Sequence, residues 1–202
     1  MAIDRKKIIE EMSKVSAESN EEGIIEGFNV MVNRLPAAFW NSFAERLSTK
    51  ASPEMLEATE YLLVNAAQEC GYHTGYGIIT SEEWKRIVVP MIEKAPEDIL
   101  YGAYAVFTAW GWANAEVIEL VPGEKMVVRA YNYYESDVAK YGKSKKMSAY
   151  MIRGVSAAFM ALAYAGEYSS SNEGDRISAF KCEQVKGIEC GDDYGEFIVT
   201  KS

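Results

Sequence analysis

Cysteine and histidine, the usual ligands of zinc, are scarce in this 202-residue chain. It has one histidine, His73, and three cysteines, Cys70, Cys182 and Cys190. A structural zinc site takes four cysteine or histidine ligands, and a catalytic one takes three and a water. Cys182, Cys190 and the distant histidine supply three at most, so we expect no metal and assign no cofactor. An odd cysteine count gives no disulfide framework, and we expect a reducing, cytoplasmic environment.

The chain also lacks an excess of basic residues and long apolar runs. Thirty acidic residues against 21 basic ones give a net charge of −9. Such a surface repels phosphate backbones and anionic headgroups, so we expect neither a nucleic acid nor a membrane as partner. No run of about 18 apolar residues predicts a transmembrane helix. The charged N-terminus lacks the apolar segment and cleavage site of a signal peptide.

Apolar residues, by contrast, are plentiful at 49%, and aromatic residues make up 12%. This composition supports a sizeable core, and the length favours one compact unit. We divide it into an N-terminal helical segment, residues 1–50, and a ligand-binding α+β domain, residues 51–202.

Helical spacing of apolar residues dominates the first half of the chain. The spacing extends over residues 24–35, and Ser52 with Pro53 begins a further helix. Gly71 is predicted to end that helix, because glycine is common just past helix C-termini. The glycine-rich residues 72–77 are then interpreted as a linker, with Ile78 and Ile79 extended.

Alternating apolar residues follow in the second half. Residues 115–120 and 125–131 predict a hairpin closed by a type II turn at Val121-Pro-Gly-Glu124. A helix over residues 147–166 precedes a second hairpin, with strands at 176–182 and 195–200. The order predicts an α+β fold in which N-terminal helices pack on an antiparallel sheet of two hairpins, each preceded by a helix.

Two helix faces point to an apolar ligand site. One face holds Tyr104, Phe107 and Trp110, and the matching face of the later helix holds Met151, Val155 and Phe159. Both helices precede hairpins, so we predict an apolar cavity between them and the sheet, with Tyr131 or His73 orienting the ligand. The same side chains could instead meet and fill an ordinary core.

Two further features leave alternatives open. Cys70 and His73 could form an activated thiolate pair, or they could be a core cysteine and a loop histidine. The small side chains Gly154, Ala158 and Ala161 could face another helix of the same chain or a second subunit. From this stripe we predict a homodimer, since isologous dimers are the commonest oligomers.

The last strand carries a recognisable motif. Gly187-Ile-Glu-Cys-Gly191-Asp192-Asp-Tyr-Gly195-Glu-Phe197 resembles the ending of the 4-vinyl-reductase domain family, Cys-x-x-x-Gly-Asp-x-x-Cys-x-Phe followed by an apolar strand. Gly191, Asp192 and Phe197 match in register, whereas glycine replaces both family cysteines, at Gly187 and Gly195. The aromatic-glycine segment 107–112 and the helix around residue 154 are similar too, so the resemblance covers residues 100–200.

The resemblance implies an α+β domain, usually dimeric, that holds an apolar ligand in a buried channel. Family members include sensory parts of regulators of aromatic degradation, and distant relatives are small subunits of vesicle-tethering complexes. Some members bind zinc through the two cysteines that this chain lacks. Three hypotheses follow: a binding module for a small apolar or aromatic molecule, which we favour; a reductase or thiol-dependent hydrolase using Cys70 or His73; and a structural dimerisation partner without ligand.

Overall fold

Helices cover most of the chain before residue 110, and two hairpins follow. A computed structural model describes residues 3–33, 35–166 and 173–202. The helices in this part are α1 (Arg5–Met12), α2 (Ala37–Lys50), α3 (Pro53–Thr80), α4 (Glu82–Ile87), α5 (Glu97–Ala109), α6 (Val138–Tyr141), α7 (Tyr150–Tyr164) and α8 (Glu173–Ile177). The strands are β1 (Glu26–Gly27), β2 (Val30–Met31), β3 (Ala113–Val121), β4 (Lys125–Tyr133), β5 (Phe180–Lys186) and β6 (Gly195–Lys201).

The two long hairpins form one antiparallel sheet with strand order β3-β4-β6-β5. The predicted turn between β3 and β4 is present: Glu124 N–H donates to the Val121 carbonyl at 3.0 Å, and Gly123 has a φ of +69°. Glycine suits that position because it adopts positive φ without steric cost. The predicted α+β fold of helices packed against two hairpins is confirmed.

One face of the sheet forms the floor of the core. Along the strands, side chains alternate between this face and the outer one, as the pleat requires. Val128, Phe197, Val199 and Cys182 are buried on the inner face, in the same cluster as residues of α5 and α7. Ile8 and Met12 of α1 are fully buried in that cluster as well. The division of the chain after residue 50 stays a prediction.

The predicted end of α3 at Gly71 is wrong. The helix continues through residues 72–77 and includes Ile78 and Ile79, so neither the linker nor the extended pair exists. Gly71 serves packing instead: a Cβ there would lie 2.8 Å from the Val155 Cα. At Gly75 it would lie 2.6 Å from Leu162. These glycines allow α7 to approach α3 closely, which offsets their weak helix propensity.

The helix predicted from the apolar spacing of residues 24–35 is also wrong. Residues 26–31 form the short hairpin β1–β2, with Phe28 and Asn29 at its turn, both at positive φ. The Phe28 side chain is buried, and its ring centre lies 4.5 Å from that of Trp110. Tertiary burial of one aromatic ring therefore overrides local periodicity.

The small-residue stripe of α7 is an internal contact. A Cβ on Gly154 would lie 2.5 Å from both the Gln68 amide nitrogen and the Val64 carbonyl oxygen of α3. Ala158 and Ala161 are fully buried within the chain. The stripe therefore no longer argues for a subunit interface. In the described part of the chain, no helix is both long and apolar enough to cross a membrane.

Candidate functional site

Five of the predicted ligand-binding residues lie together in the core. The ring centre of Tyr104 is 5.4 Å from that of Phe159 and 6.2 Å from that of Phe107, in edge-to-face arrangements. Met151 and Val155 of α7 are buried in the same cluster. We call these five residues the aromatic core cluster. Their side chains pack against one another, so a ligand there would have to separate rings that are in contact.

The other three predicted site residues lie elsewhere. Trp110 follows the last residue of α5 and packs on Phe28. Tyr131 is 45% exposed on the outer face of the sheet and donates a hydrogen bond to Glu116 at 2.7 Å. His73 is exposed on α3, with its Nε2 3.6 Å from the Glu69 carboxylate.

A hydroxyl pair supplies polarity inside the aromatic core cluster. Tyr104 donates a hydrogen bond to Ser156 Oγ at 2.8 Å, and both residues are buried. Burial raises the pKa of the Tyr104 phenol, so it stays neutral. Tyr104 also lines a cavity of about 210 Å³ that includes residues of α1, α5 and β3, among them Arg5 and Tyr101. It therefore connects this cavity to the cluster.

A larger cavity, of about 370 Å³, was not predicted from the sequence. It lies among α2, the N-terminal part of α3, residues 135–148 and the N-terminus of α7, and we call it the α2–α7 cavity. Its lining combines aromatic and carboxylate side chains, including those of Trp40, Tyr150, Glu60, Glu135 and Glu189. These residues are far apart in sequence and share no spacing, so no local pattern could reveal the cavity.

Glu135 ties three elements together at this cavity. Its carboxylate accepts hydrogen bonds from Trp40 Nε1 at 2.9 Å and from the backbone N–H groups of Met151 at 2.8 Å and Ile152 at 3.2 Å. Burial raises the pKa of Glu135 to about 7, although these donors oppose the shift. The N-terminus of α7 suits a carboxylate because its first N–H groups have no partner within the helix.

Glu189 is a second carboxylate beside the cavity, and it is buried. It accepts hydrogen bonds from the Tyr133 hydroxyl, from Ser148 N–H at 3.0 Å and from Gln184 Nε2 at 2.7 Å. These bonds join β4, β5 and the segment that enters α7. Glu189 therefore fastens the end of the second hairpin to the first.

The glycines that replace the family cysteines fit this network and do not fit a zinc ion. A Cβ at Gly187 would lie 2.8 Å from Glu189 and Gln184 atoms, and one at Gly195 would lie 2.8 Å from the Tyr133 ring. Among the residues that the structure describes, no group of three or more His, Cys, Asp or Glu side chains is placed to hold a metal.

We expect elemental analysis of protein purified without added metal to find far less than one zinc per chain. The reason is the missing thiolates at positions 187 and 195, since zinc needs about four ligands in a structural site. Protein incubated with zinc and then dialysed serves as the control for weak surface binding. A stoichiometric, dialysis-resistant zinc would contradict the expectation.

Cys70 and His73 lie on the same helix, but Cys70 lacks the features of an activated nucleophile. Its sulfur is 4.0 Å from the Thr74 hydroxyl, and desolvation raises the pKa of the thiol even though the residue is exposed. A reactive cysteine needs a lowered pKa. Cys182 is buried, and its pKa is raised to about 12 for the same reason.

Comparison with solved structures places the fold among known domains. The phenol-responsive sensory domain of the transcription activator PoxR, in a crystal structure with phenol, has a TM-score of 0.71. The match covers all of this chain and 92% of that one at 10% identity. A trafficking protein particle complex subunit 3 from Naegleria fowleri, covalently bound to palmitic acid, has a TM-score of 0.56 at 13% identity. That match covers 82% of this chain and 92% of the other.

A vinyl-4-reductase family protein from Methanocaldococcus jannaschii also matches, with a TM-score of 0.47, 13% identity, and coverage of 98% of this chain and 92% of that one. No protein-family model and no curated protein sequence matches this chain. At the identities of the first two matches, the comparisons establish a shared fold. Ligands and activities of those proteins do not follow from the fold alone.

Proposed function

We propose that this chain is a member of the 4-vinyl-reductase group of domains that binds a small apolar or aromatic molecule, as a carrier, sensor or accessory protein. The site is the aromatic core cluster between α5, α7 and the sheet. The observation that carries the proposal is Tyr104, which lies in the cluster and also lines the adjacent cavity of about 210 Å³. The domains with the same fold were crystallised with phenol and with palmitic acid, which supports an apolar ligand.

The cluster has the composition of an apolar ligand site. Aromatic rings and Met151 adapt to flat or aliphatic shapes, because rings stack and methionine is flexible and polarizable. The Tyr104–Ser156 hydroxyl pair is the polar group that would orient a ligand hydroxyl. Trp110, Tyr131 and His73 lie outside the cluster, so we propose the site with the other five residues.

Phe159→Trp tests the site. The Phe159 ring contacts both Tyr104 and Phe107, so the larger tryptophan ring should occupy the space of the ligand. We expect toluene and phenol to bind the parent protein by calorimetry and the variant to bind neither. In a completely filled core the same change should instead overpack and cost roughly 1–3 kcal/mol.

Val185→Trp is the control, because Val185 is 40% exposed on β5 and lies outside the aromatic core cluster. It should change neither stability nor binding. Loss of stability in Phe159→Trp, together with no binding of either probe by the parent, would rule the site out. Native mass spectrometry adds a direct observation, since a bound molecule that survives purification would identify the ligand class.

Catalysis on such a molecule is the alternative that we rank second. A reductase or thiol-dependent hydrolase would need turnover, and neither Cys70 nor His73 lies in the aromatic core cluster. Conversion of the co-purified molecule by the pure protein would favour this alternative. A purely structural dimerisation partner is the third possibility, and its mark would be a dimer with no ligand.

The homodimer that we predicted from the α7 stripe is better supported by exposed apolar side chains between residues 31 and 62. Seven large apolar or aromatic side chains between residues 31 and 62 are at least 46% exposed: Met31, Leu35, Phe39, Phe43, Met55, Tyr61 and Leu62. Monomers rarely expose large contiguous apolar patches, and we propose that these seven side chains form one such surface. A second copy of this chain would bury the same surface on both subunits, as an isologous dimer requires.

Phe43→Glu should convert that dimer to a folded monomer, because a charge is costly to bury in an apolar interface. Sedimentation at tens of micromolar protein gives the mass, and circular dichroism confirms folding. Val89→Glu is the control, since Val89 is also 46% exposed but lies outside this surface. A parent protein that sediments as a monomer would refute the homodimer.

A further inference from the structure

The α2–α7 cavity has the size of a ligand site and takes no part in the function proposed above. Its volume of about 370 Å³ falls in the range of small-molecule pockets. Its outer wall is α2, which is held in place where Trp40 donates to Glu135 and Asn41 Nδ2 donates to the Tyr134 carbonyl at 2.8 Å. The cavity is therefore part of the packed structure rather than a gap beside a loose segment.

Aromatic and apolar side chains form part of its wall. Trp40, Tyr141 and Tyr150 supply rings from three different elements, and Ala44 and Leu56 supply aliphatic surface. Tyr150 is held by a hydrogen bond that its hydroxyl donates to Glu60 at 3.0 Å. A ligand with a small apolar body can be buried against these side chains.

The charges around the cavity are predominantly negative. Five acidic residues line it, and Lys146 is the single lysine or arginine among the described lining residues. Lys146 is already paired with Glu60 at 2.6 Å. An anionic ligand would meet uncompensated repulsion here, whereas a cation would relieve it. Cations also bind favourably over the faces of tryptophan and tyrosine rings.

Glu135 has room for one further donor. A carboxylate offers about four acceptor positions, and three of those on Glu135 are used by Trp40, Met151 and Ile152. Glu189 lies close enough to raise the pKa of Glu135 through their like charges. A positively charged N–H donor in the cavity would satisfy the remaining position and reduce this repulsion.

We propose that the α2–α7 cavity binds a small organic ammonium ion, that is, a protonated amine with a short aliphatic or aromatic body. The ammonium group lies toward Glu135 and Glu60, and the body lies against Trp40 and Tyr150. The aromatic walls favour an organic ammonium over a bare metal ion. This site is separate from the aromatic core cluster and takes a different class of ligand.

Three probes of nearly equal shape test the charge requirement by calorimetry with the full chain: benzylamine, benzyl alcohol and benzoate. The measurement is made at pH 8, above the pKa of about 7 of Glu135, so that this group is a carboxylate. We expect benzylamine to bind at least about tenfold more tightly than benzyl alcohol, because its charge meets both carboxylates and aromatic faces. Benzoate should not bind. Equal affinity for the three probes, or no benzylamine binding at millimolar concentration, would overturn the proposal.

Glu135→Gln and Glu60→Gln locate the amine, and each should weaken benzylamine binding at least about tenfold. Glu183→Gln is the charge-matched control, because Glu183 is exposed on β5 and does not line the cavity. If Glu135→Gln does not fold, Glu60→Gln provides the test. Glu60 lies on α3, and its bonds are to the side chains of Tyr150 and Lys146, so its replacement leaves the hydrogen bonds of Glu135 to the α7 backbone in place.

Two results would show that benzylamine binds elsewhere. One is unchanged affinity in both cavity variants, and the other is an equal loss in Glu183→Gln, which would indicate attraction by the overall charge of −9. Competition between toluene and benzylamine would place the amine in the aromatic core cluster and would also overturn the proposal. Failure of toluene to bind at all concerns only the proposed function and leaves the amine test intact.

Discussion

Replacing Gly154 with alanine should lower the free energy of unfolding by about 3 kcal/mol, at the upper end of the range for overpacked sites. The added methyl group would lie 2.5 Å from the Gln68 nitrogen and the Val64 oxygen, both backbone atoms of α3. Backbone cannot move aside as a flexible side chain can, so α3 and α7 must separate. Urea unfolding of the parent and the variant measures the effect.

Gly174→Ala is the matched control, because no atom of the described residues lies within 4 Å of a Cβ added there. Gly174 belongs to α8, where alanine has the better helix propensity, by up to about 1 kcal/mol. The control should therefore be neutral or slightly stabilising. If both variants lost the same stability, the close crossing of α3 and α7 would not be the cause.

Glu135→Gln should remove a pH dependence of folding stability between about pH 4.5 and 7. The pKa of Glu135 is raised from 4.5 to about 7 by burial, so the folded state holds the proton more tightly than the unfolded state does. The contribution of Glu135 to the free energy of unfolding is fully present below pH 4.5, and it is lost as the pH rises through 7. The loss is on the order of 3 kcal/mol.

Unfolding free energies at pH 5 and pH 8 give the slope for the parent and the variant. The slopes matter rather than the absolute values, because glutamine cannot accept all three hydrogen bonds and adds a cost of about 1–3 kcal/mol at every pH. Glu183→Gln, on the exposed side of β5, should keep the parent slope. Parallel curves for the parent and Glu135→Gln would show that this carboxyl is not the titrating group.

Glycine has two different structural roles in this chain, and the sequence predicted only one of them. At Gly71 the local rule predicts a helix end, and the rule fails because the residue faces Val155 of α7. At Gly123 the local rule predicts a turn, and it holds because neighbouring backbone atoms alone require the positive φ. Rules for glycine therefore worked where the constraint was local and failed where another helix supplied it.

The candidate sites show the same division. The aromatic core cluster could be predicted because α5 and α7 each place their residues on one helical face, and both helices pack on the sheet. The three predicted residues outside it, Trp110, Tyr131 and His73, lie at a helix end, on the outer face of the sheet and on α3. Their positions depend on where each helix or strand ends and how it packs on its neighbours. The side-chain period within one element does not determine them.

The sequence by itself determined the α+β class, the two hairpins and the apolar faces of α5 and α7, because these follow from side-chain periods of two and 3.6 residues. Tertiary structure alone decided the length of α3, the internal use of the α7 stripe and the α2–α7 cavity. The cavity joins Trp40, Glu60, Glu135 and Glu189 across four parts of the chain. These residues come together only through packing between elements that are distant in sequence, so no local pattern predicts the cavity.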